Sequence, residues 1–187
     1  MLNIEKNLTP RLKMIASLVP SCKSLCDIGT DHAYVAIYLA KKGIAENEVE
    51  CCIIAGMGGE TIAEILENEK GCKYFVLQMQ SAHKELRQYL STHGYVIEKE
   101  DVCREGNKMY TALLATRGEG KPYSETELEI GPYLIENTPP LFYDYVRYRL
   151  YEVDSVLSKM GETVSSRRAH YENLKREYET LLKGETK

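Results

Sequence analysis

Two stretches decide the fold: CDIGTDHAYV, residues 26–35, and IIAGMGG, residues 53–59. Each is a short apolar run that ends in glycine and opens onto a helical pattern. In an open parallel sheet, ligands bind beyond the carboxyl ends of the strands. Glycine there lets the backbone approach a ligand with no Cβ in the way. The helix start behind it offers unpaired N–H groups. The residues to watch are therefore Asp27, Gly29, Thr30, Asp31 and His32 in the first stretch, and Ala55, Gly56, Met57, Gly58 and Gly59 in the second. Neither is a dinucleotide fingerprint, because Asp31 and Thr61 stand where G-x-G-x-x-G requires glycine. The chain has no Gly-Lys-Ser/Thr, which excludes a P-loop.

Working outward, the spacing of Leu8, Leu12, Ile15, Ala16 and Val19 predicts a helix capped at Asn7 or Thr9 and stopped by Pro20. KSLCDIG, VECCIIAGMGG and YFVLQMQ read as buried strands. DHAYVAIYLAKKG, ETIAEILENEKG and AHKELRQYLSTHG read as the helices that follow them. YVIEKEDVCREG and KMYTALLATRG alternate with polar residues across a short turn, the pattern of an antiparallel pair. The expected domain, residues 1–118, is a three-layer α/β unit with a mostly parallel sheet and an antiparallel edge. Residues 119–139, rich in Gly and Pro, read as a linker packed on that domain. Residues 140–187 read as a helical hairpin with its turn at Gly161 and Glu162. In its first helix Leu141, Tyr145, Tyr148, Tyr151 with Val153, and Val156 recur at helical spacing. Such a hairpin covers its own domain or a partner subunit.

The chain has 187 residues, 43% hydrophobic and 28% charged, enough for one domain with a full core. No apolar run approaches the roughly 20 residues of a membrane span. The N-terminus is charged and broken by proline, so it does not read as a secretory signal, and a cytoplasmic location is expected. The net charge of −4 neither announces a nucleic-acid binder nor excludes a local basic face. Of the six cysteines, Cys26, Cys51 and Cys52 sit inside strand-like runs, and Cys22-x-x-x-Cys26 is no zinc spacing. Reduced, mostly buried thiols and no metal are expected.

An acid such as Asp27, just before the first glycine, suits a site for S-adenosylmethionine, where it helps to hold the amino acid's ammonium. CDIGTDHAYVAIYLAKKG together with IIAGMGGETIAEIL resembles the bacterial tRNA adenine-22 N1-methyltransferases, whose pattern is D-[VI]-G-[ST]-D-H-A-Y-L-P-I-Y-L followed by I-A-G-M-G-G. The likeness continues through VLQMQSAHKELRQYLSTHGYVI, YSETELEIGPYLIENTPPLF and the helical tail. It implies a class I, Rossmann-like methyltransferase sheet with a C-terminal α-helical hairpin, S-adenosylmethionine as cofactor and tRNA as substrate. Adenine N1 is already a nucleophile, so alignment and desolvation are the enzyme's main tasks. Asp31 and His32 are candidate acid–base partners, or equally a helix cap and a packed ring. The hairpin cations Arg147, Arg149, Arg167, Arg168, Lys175 and Arg176 are candidate phosphate contacts, or else part of an ordinary solvated face. The hairpin is also a candidate surface for self-association.

One part of the family's pattern is missing. Between Gly43 and VECCIIAG only IAENE intervenes, where such a sheet has two further β-α units of roughly 40–50 residues. Those units carry the acid that binds the ribose hydroxyls. A shortened sheet is expected, with the first helix delivering the chain straight to the next strand. Three functions then compete: tRNA methyl transfer, an RNA-binding or scaffold protein that keeps the fold without catalysis, and a nucleotide-binding enzyme using the Gly56–Gly59 turn.

Overall fold

The computed structural model describes residues 8–29, 49–69, 71–160 and 165–186. Thr30, Asp31, His32, the helix expected after them, the IAENE link and the Gly161–Glu162 turn lie outside the described residues, as does the alternative cap Asn7.

Helix α1, Pro10–Leu18, starts at proline, whose missing N–H costs nothing there, and Thr9 caps it by accepting the N–H of Leu12. Strand β1, Leu25–Ile28, leads into Gly29. After the break come β2, Cys51–Gly58; α2, Gly59–Asn68; β3, Tyr74–Ser81; and α3, His83–Thr92. A hairpin follows, β4, Tyr95–Glu105, and β5, Lys108–Arg117, turning at Gly106 with φ +60°.

The five strands stand in the order β1-β2-β3-β5-β4. β1, β2 and β3 are parallel, and β5 runs antiparallel to both neighbours. The expected mostly parallel sheet with an antiparallel edge is present. Period-two alternation splits the strand side chains between two cores. Cys52, Ile54, Phe75, Leu77 and Leu113 meet Ile62 and Leu66 of α2 and Leu86 and Leu90 of α3. Cys51, Ile53, Val76 and Ala112 meet Met14, Ile15 and Leu18 of α1 on the other face. Every cysteine is a free thiol; Cys51, Cys52, Cys72 and Cys103 are buried, while Cys22 and Cys26 are half-buried.

The 119–139 segment, expected as a linker packed on the domain, holds two short helices, α4, Glu125–Ile130, and α5, Pro132–Asn137. Helix α4 opens with a full capping box, the Ser124 hydroxyl accepting the Glu127 N–H while the Glu127 carboxylate accepts the Ser124 N–H. The hairpin helices are α6, Phe142–Lys159, and α7, Ser166–Leu182. Their seam uses Tyr145, Val146, Val153, Leu174 and Tyr178. Tyr151, expected on that seam, is instead 73% exposed, because Val153 occupies the inward position.

Candidate active site

Gly56 and Gly58 of IIAGMGG stand inside β2, and Gly59 opens α2 directly, with no loop between them. Ala55 pairs with Gln78 and Met57 with Met79, so Gly56 is an extra residue bulged out of the ladder. Its φ of +80° is the reason for glycine there, and its surface is exposed. The bulge has a specific support. Gln78, 1% exposed, accepts the Gly56 N–H through Oε1 at 3.2 Å and donates from Nε2 to the Met79 carbonyl at 2.7 Å. Sequence reasoning missed Gln78, although an amide between Leu77 and Met79 in a buried strand pattern is its signal.

Gly29, φ +90°, lies at the end of β1 against this bulge. A Cβ there would overlap Met57 Cε and lie 3.2 Å from the Ala55 carbonyl. The β1 and β2 ends thus form one continuous glycine-lined surface, with half-buried Asp27 beneath it, paired to Ile53. Gly59 opens α2 by passing so close to the Ala82 carbonyl that no Cβ fits. Ala82 itself holds a left-handed φ of 55°, an uncommon strain for a residue with a side chain. Ala82 has no side chain able to cap α3, so the first N–H groups of that helix have no side-chain cap.

Gly58 pairs with Ser81, and beyond Ser81 opens a cleft of about 470 Å³. β3 contributes Met79, Gln80 and Ser81; β5 contributes Lys108, Met109 and Tyr110; α6 contributes Tyr145, Tyr148, Arg149 and Glu152. His83, at the start of α3, completes the wall. Burial, with the positive charges of Arg87 and Arg149 nearby, lowers the pKa of His83 to about 3, so its imidazole is neutral at ordinary pH. Sequence reasoning missed His83 too; nothing in SAHKEL distinguishes it from a surface histidine.

The six hairpin cations are not equivalent. Arg149 is largely buried and bound to Glu129 at 3.0 Å and Glu152 at 3.2 Å, so it both lines the cleft and ties the hairpin to α4. Arg147 pairs with Asp144 and Glu185, Arg168 with Glu172, and Lys175 with Asp154 across the hairpin. Arg167 and Arg176 are exposed, and among the described residues neither has an ion pair; Arg176 donates only to the Asn173 amide.

A mixed sheet whose parallel strands β1 and β2 have glycine-lined carboxyl ends, beside a polar and aromatic cleft, defines a Rossmann-like domain of the methyltransferase class. A general methyltransferase-domain profile matches residues 8–48, and the profile of the family described as tRNA (adenine(22)-N(1))-methyltransferase matches residues 43–183. The chain belongs to that tRNA (adenine(22)-N(1))-methyltransferase family. It is 24% identical to the Bacillus subtilis tRNA (adenine(22)-N(1))-methyltransferase over 212 aligned positions, covering 87% of this chain and 89% of the relative. That alignment is longer than the 187-residue chain, so the relative carries residues with no counterpart here. A Streptococcus pneumoniae protein proposed as a tRNA (m1A22) methyltransferase, solved with S-adenosyl-L-methionine, superposes with TM-score 0.80. It shares 24% identity, over 94% of this chain and 99% of its own. An M. capricolum TrmK, solved with S-adenosyl-homocysteine, superposes with TM-score 0.74 at 21% identity, over 94% and 99% of the two chains.

Proposed function

We propose that this chain transfers a methyl group from S-adenosylmethionine to N1 of an adenine in tRNA. The observation that carries the reading is the junction of the two glycine-lined strand ends with the cleft, made by Gly58 and Ser81 side by side. Asp27, Gly29 and Ala55–Gly59 fit the cofactor: two exposed positive-φ glycines leave backbone uncovered, and a carboxylate stands one residue from the ammonium-binding turn. S-adenosylmethionine supplies an electrophilic methyl on a sulfonium.

The chain's own residues then have three tasks. The first is to hold the base. Tyr110 and Tyr148, half-buried in the cleft wall, offer the aromatic faces on which an unstacked base lies, a contact worth about 1–3 kcal/mol. The second is to read its edge. A neutral His83 both donates and accepts hydrogen bonds, which suits the N6 amino group beside N1 and adds no positive charge to a base that is gaining one. The third is electrostatic: Glu152, at the cleft, faces the charge that moves onto the purine ring. No strong base is needed to start the reaction, since the in-plane N1 lone pair is free once the base is unpaired. Arg167 and Arg176, exposed on α7, are the hairpin cations best placed to meet phosphates without first breaking an ion pair.

The test is transfer from methyl-labelled cofactor to unmodified tRNA, followed by digestion to nucleosides. The reading predicts label in 1-methyladenosine. A second reading, a methyltransferase fold that binds tRNA without catalysis, is favoured by the residues absent relative to the B. subtilis enzyme. Retained tRNA binding with no label in any nucleoside would select it.

A further inference from the structure

Three cysteines from separate parts of the chain converge under the cofactor turns. The Sγ atoms of Cys26, Cys52 and Cys72 all lie within 4.8 Å of one another. Cys26 and Cys52 are register partners on parallel β1 and β2, so both side chains leave the sheet on the face covered by α2 and α3. Cys72 follows soon after the end of α2. There the Glu69 carboxylate accepts the N–H groups of Gly71 at 2.8 Å and Cys72 at 3.0 Å. Cys52 and Cys72 are buried, while Cys26 is half-buried on the strand at the sheet edge and leaves a way in. Cys22, Cys51 and Cys103 belong to the opposite face, so the grouping is not a general richness in thiols.

We propose that Cys26, Cys52 and Cys72 form a binding site for one thiophilic d10 cation, Cu(I) or Zn²⁺. Sulfurs bound to a common ion at about 2.3 Å stand about 4 Å apart, so small side-chain rotations close the present arrangement. Thiolates select these ions over harder ones. Among the described residues no fourth side chain joins the three sulfurs. Cu(I), content with three sulfurs, closes the site by itself; Zn²⁺, which prefers four donors, takes a water from the Cys26 side. Cys26 lies three residues before Gly29 and Cys52 four before Gly56, so an ion here clamps the two strands whose ends form the glycine surface. The inference rests on sulfur geometry and is independent of methyl transfer.

The test is titration of the reduced, oxygen-free full chain with Cu(I) against a chromophoric chelator, and separately with Zn²⁺. The expected result is one ion per chain, with thiolate-to-metal ultraviolet absorption for Cu(I) and a rise in melting temperature. Cys26→Ser and Cys72→Ser should weaken binding by about tenfold or more, while Cys22→Ser and Cys103→Ser leave it unchanged. Tight Cu(I) with weak Zn²⁺ supports the three-sulfur site, and the reverse supports the solvent-completed one. Cys26→Ser alters a half-buried edge position, and its fold is checked by circular dichroism. Failure of both ions to compete with the chelator overturns the proposal, as does a folded Cys26→Ser chain that binds like the wild type.

Discussion

Arg87 of α3 donates from Nε to Glu100 of β4 at 2.8 Å, and both side chains are fully buried. The pair does more than neutralise itself. Arg87 also donates to the carbonyls of Leu128, Glu129 and Ile130 at the end of α4, sharing that of Glu129 with Arg149. Glu100 Oε2 accepts the Tyr133 N–H at the start of α5, and Gly131 between them leaves no room for a Cβ beside that carboxylate. One ion pair thus fixes the 119–139 segment to the sheet. Arg149 then fixes the hairpin to the same segment through Glu129.

Removing one partner leaves a buried charge uncompensated. Arg87→Met should cost about 3–5 kcal/mol in denaturant unfolding, and Glu100→Leu a similar amount. The double variant should recover much of the loss. Equal destabilisation in single and double variants would show that the carbonyl contacts, rather than the ion pair, carry the effect.

Three of the site's glycines, Gly29, Gly56 and Gly59, should respond in a defined order. Gly59→Ala meets the Ala82 backbone, which cannot move aside, and should be the most damaging, on the order of 3 kcal/mol. Gly29→Ala pushes mainly the flexible end of Met57, crowds the Ala55 carbonyl at 3.2 Å and adds a positive-φ strain. Gly56→Ala has open space and should lose only about 1–2 kcal/mol from its left-handed backbone. Unfolding midpoints of the three variants check this order.

Much of this arrangement was legible in the sequence, and the illegible parts have physical reasons. The apolar runs at Cys51–Ala55 and Phe75–Met79 marked buried parallel strands, and glycine marked their ends. Charged residues inside the core were not legible. Arg87 sits on the same helix face as Leu86 and Leu90, where an arginine normally reaches solvent. Glu100 points inward because β4 has a bulge between Ile97 and Lys99, which changes the parity of an alternation read as regular. The Gly and Pro of 119–139 hid two short helices, although the capping box Ser124–Glu127 was there to be read. Gln78 was unreadable as a support for Gly56 because that contact exists only once β2 and β3 pair.

His83 gives stability a pH dependence with a definite sign. Its pKa falls from 6.5 to about 3 on folding, so between those values the unfolded chain binds more protons. The contribution is complete above about pH 6.5 and is lost as pH falls, by up to about 1.4 kcal/mol per pH unit. His83→Asn should flatten the acid limb of a stability-versus-pH curve. An unchanged limb would mean that the ring is charged or solvated in the fold.

The hairpin cations should separate by salt dependence. Arg167→Ala and Arg176→Ala should each weaken tRNA binding and reduce the salt slope by about one. Lys175→Ala should change it less, since Lys175 is held by Asp154 at 2.7 Å. Equal slopes for wild type and both arginine variants would remove α7 from the tRNA surface.

The central claim is that this shortened chain still binds its cofactor on the β1 and β2 ends. Calorimetric titration of the full chain with S-adenosylmethionine, beside Gln78→Leu, tests it most directly. The account predicts one site per chain, weakened by about 1–3 kcal/mol when Gln78 no longer holds the Gly56 bulge. A folded, cooperative chain that gives no binding heat, and whose melting temperature the cofactor does not move, would contradict it.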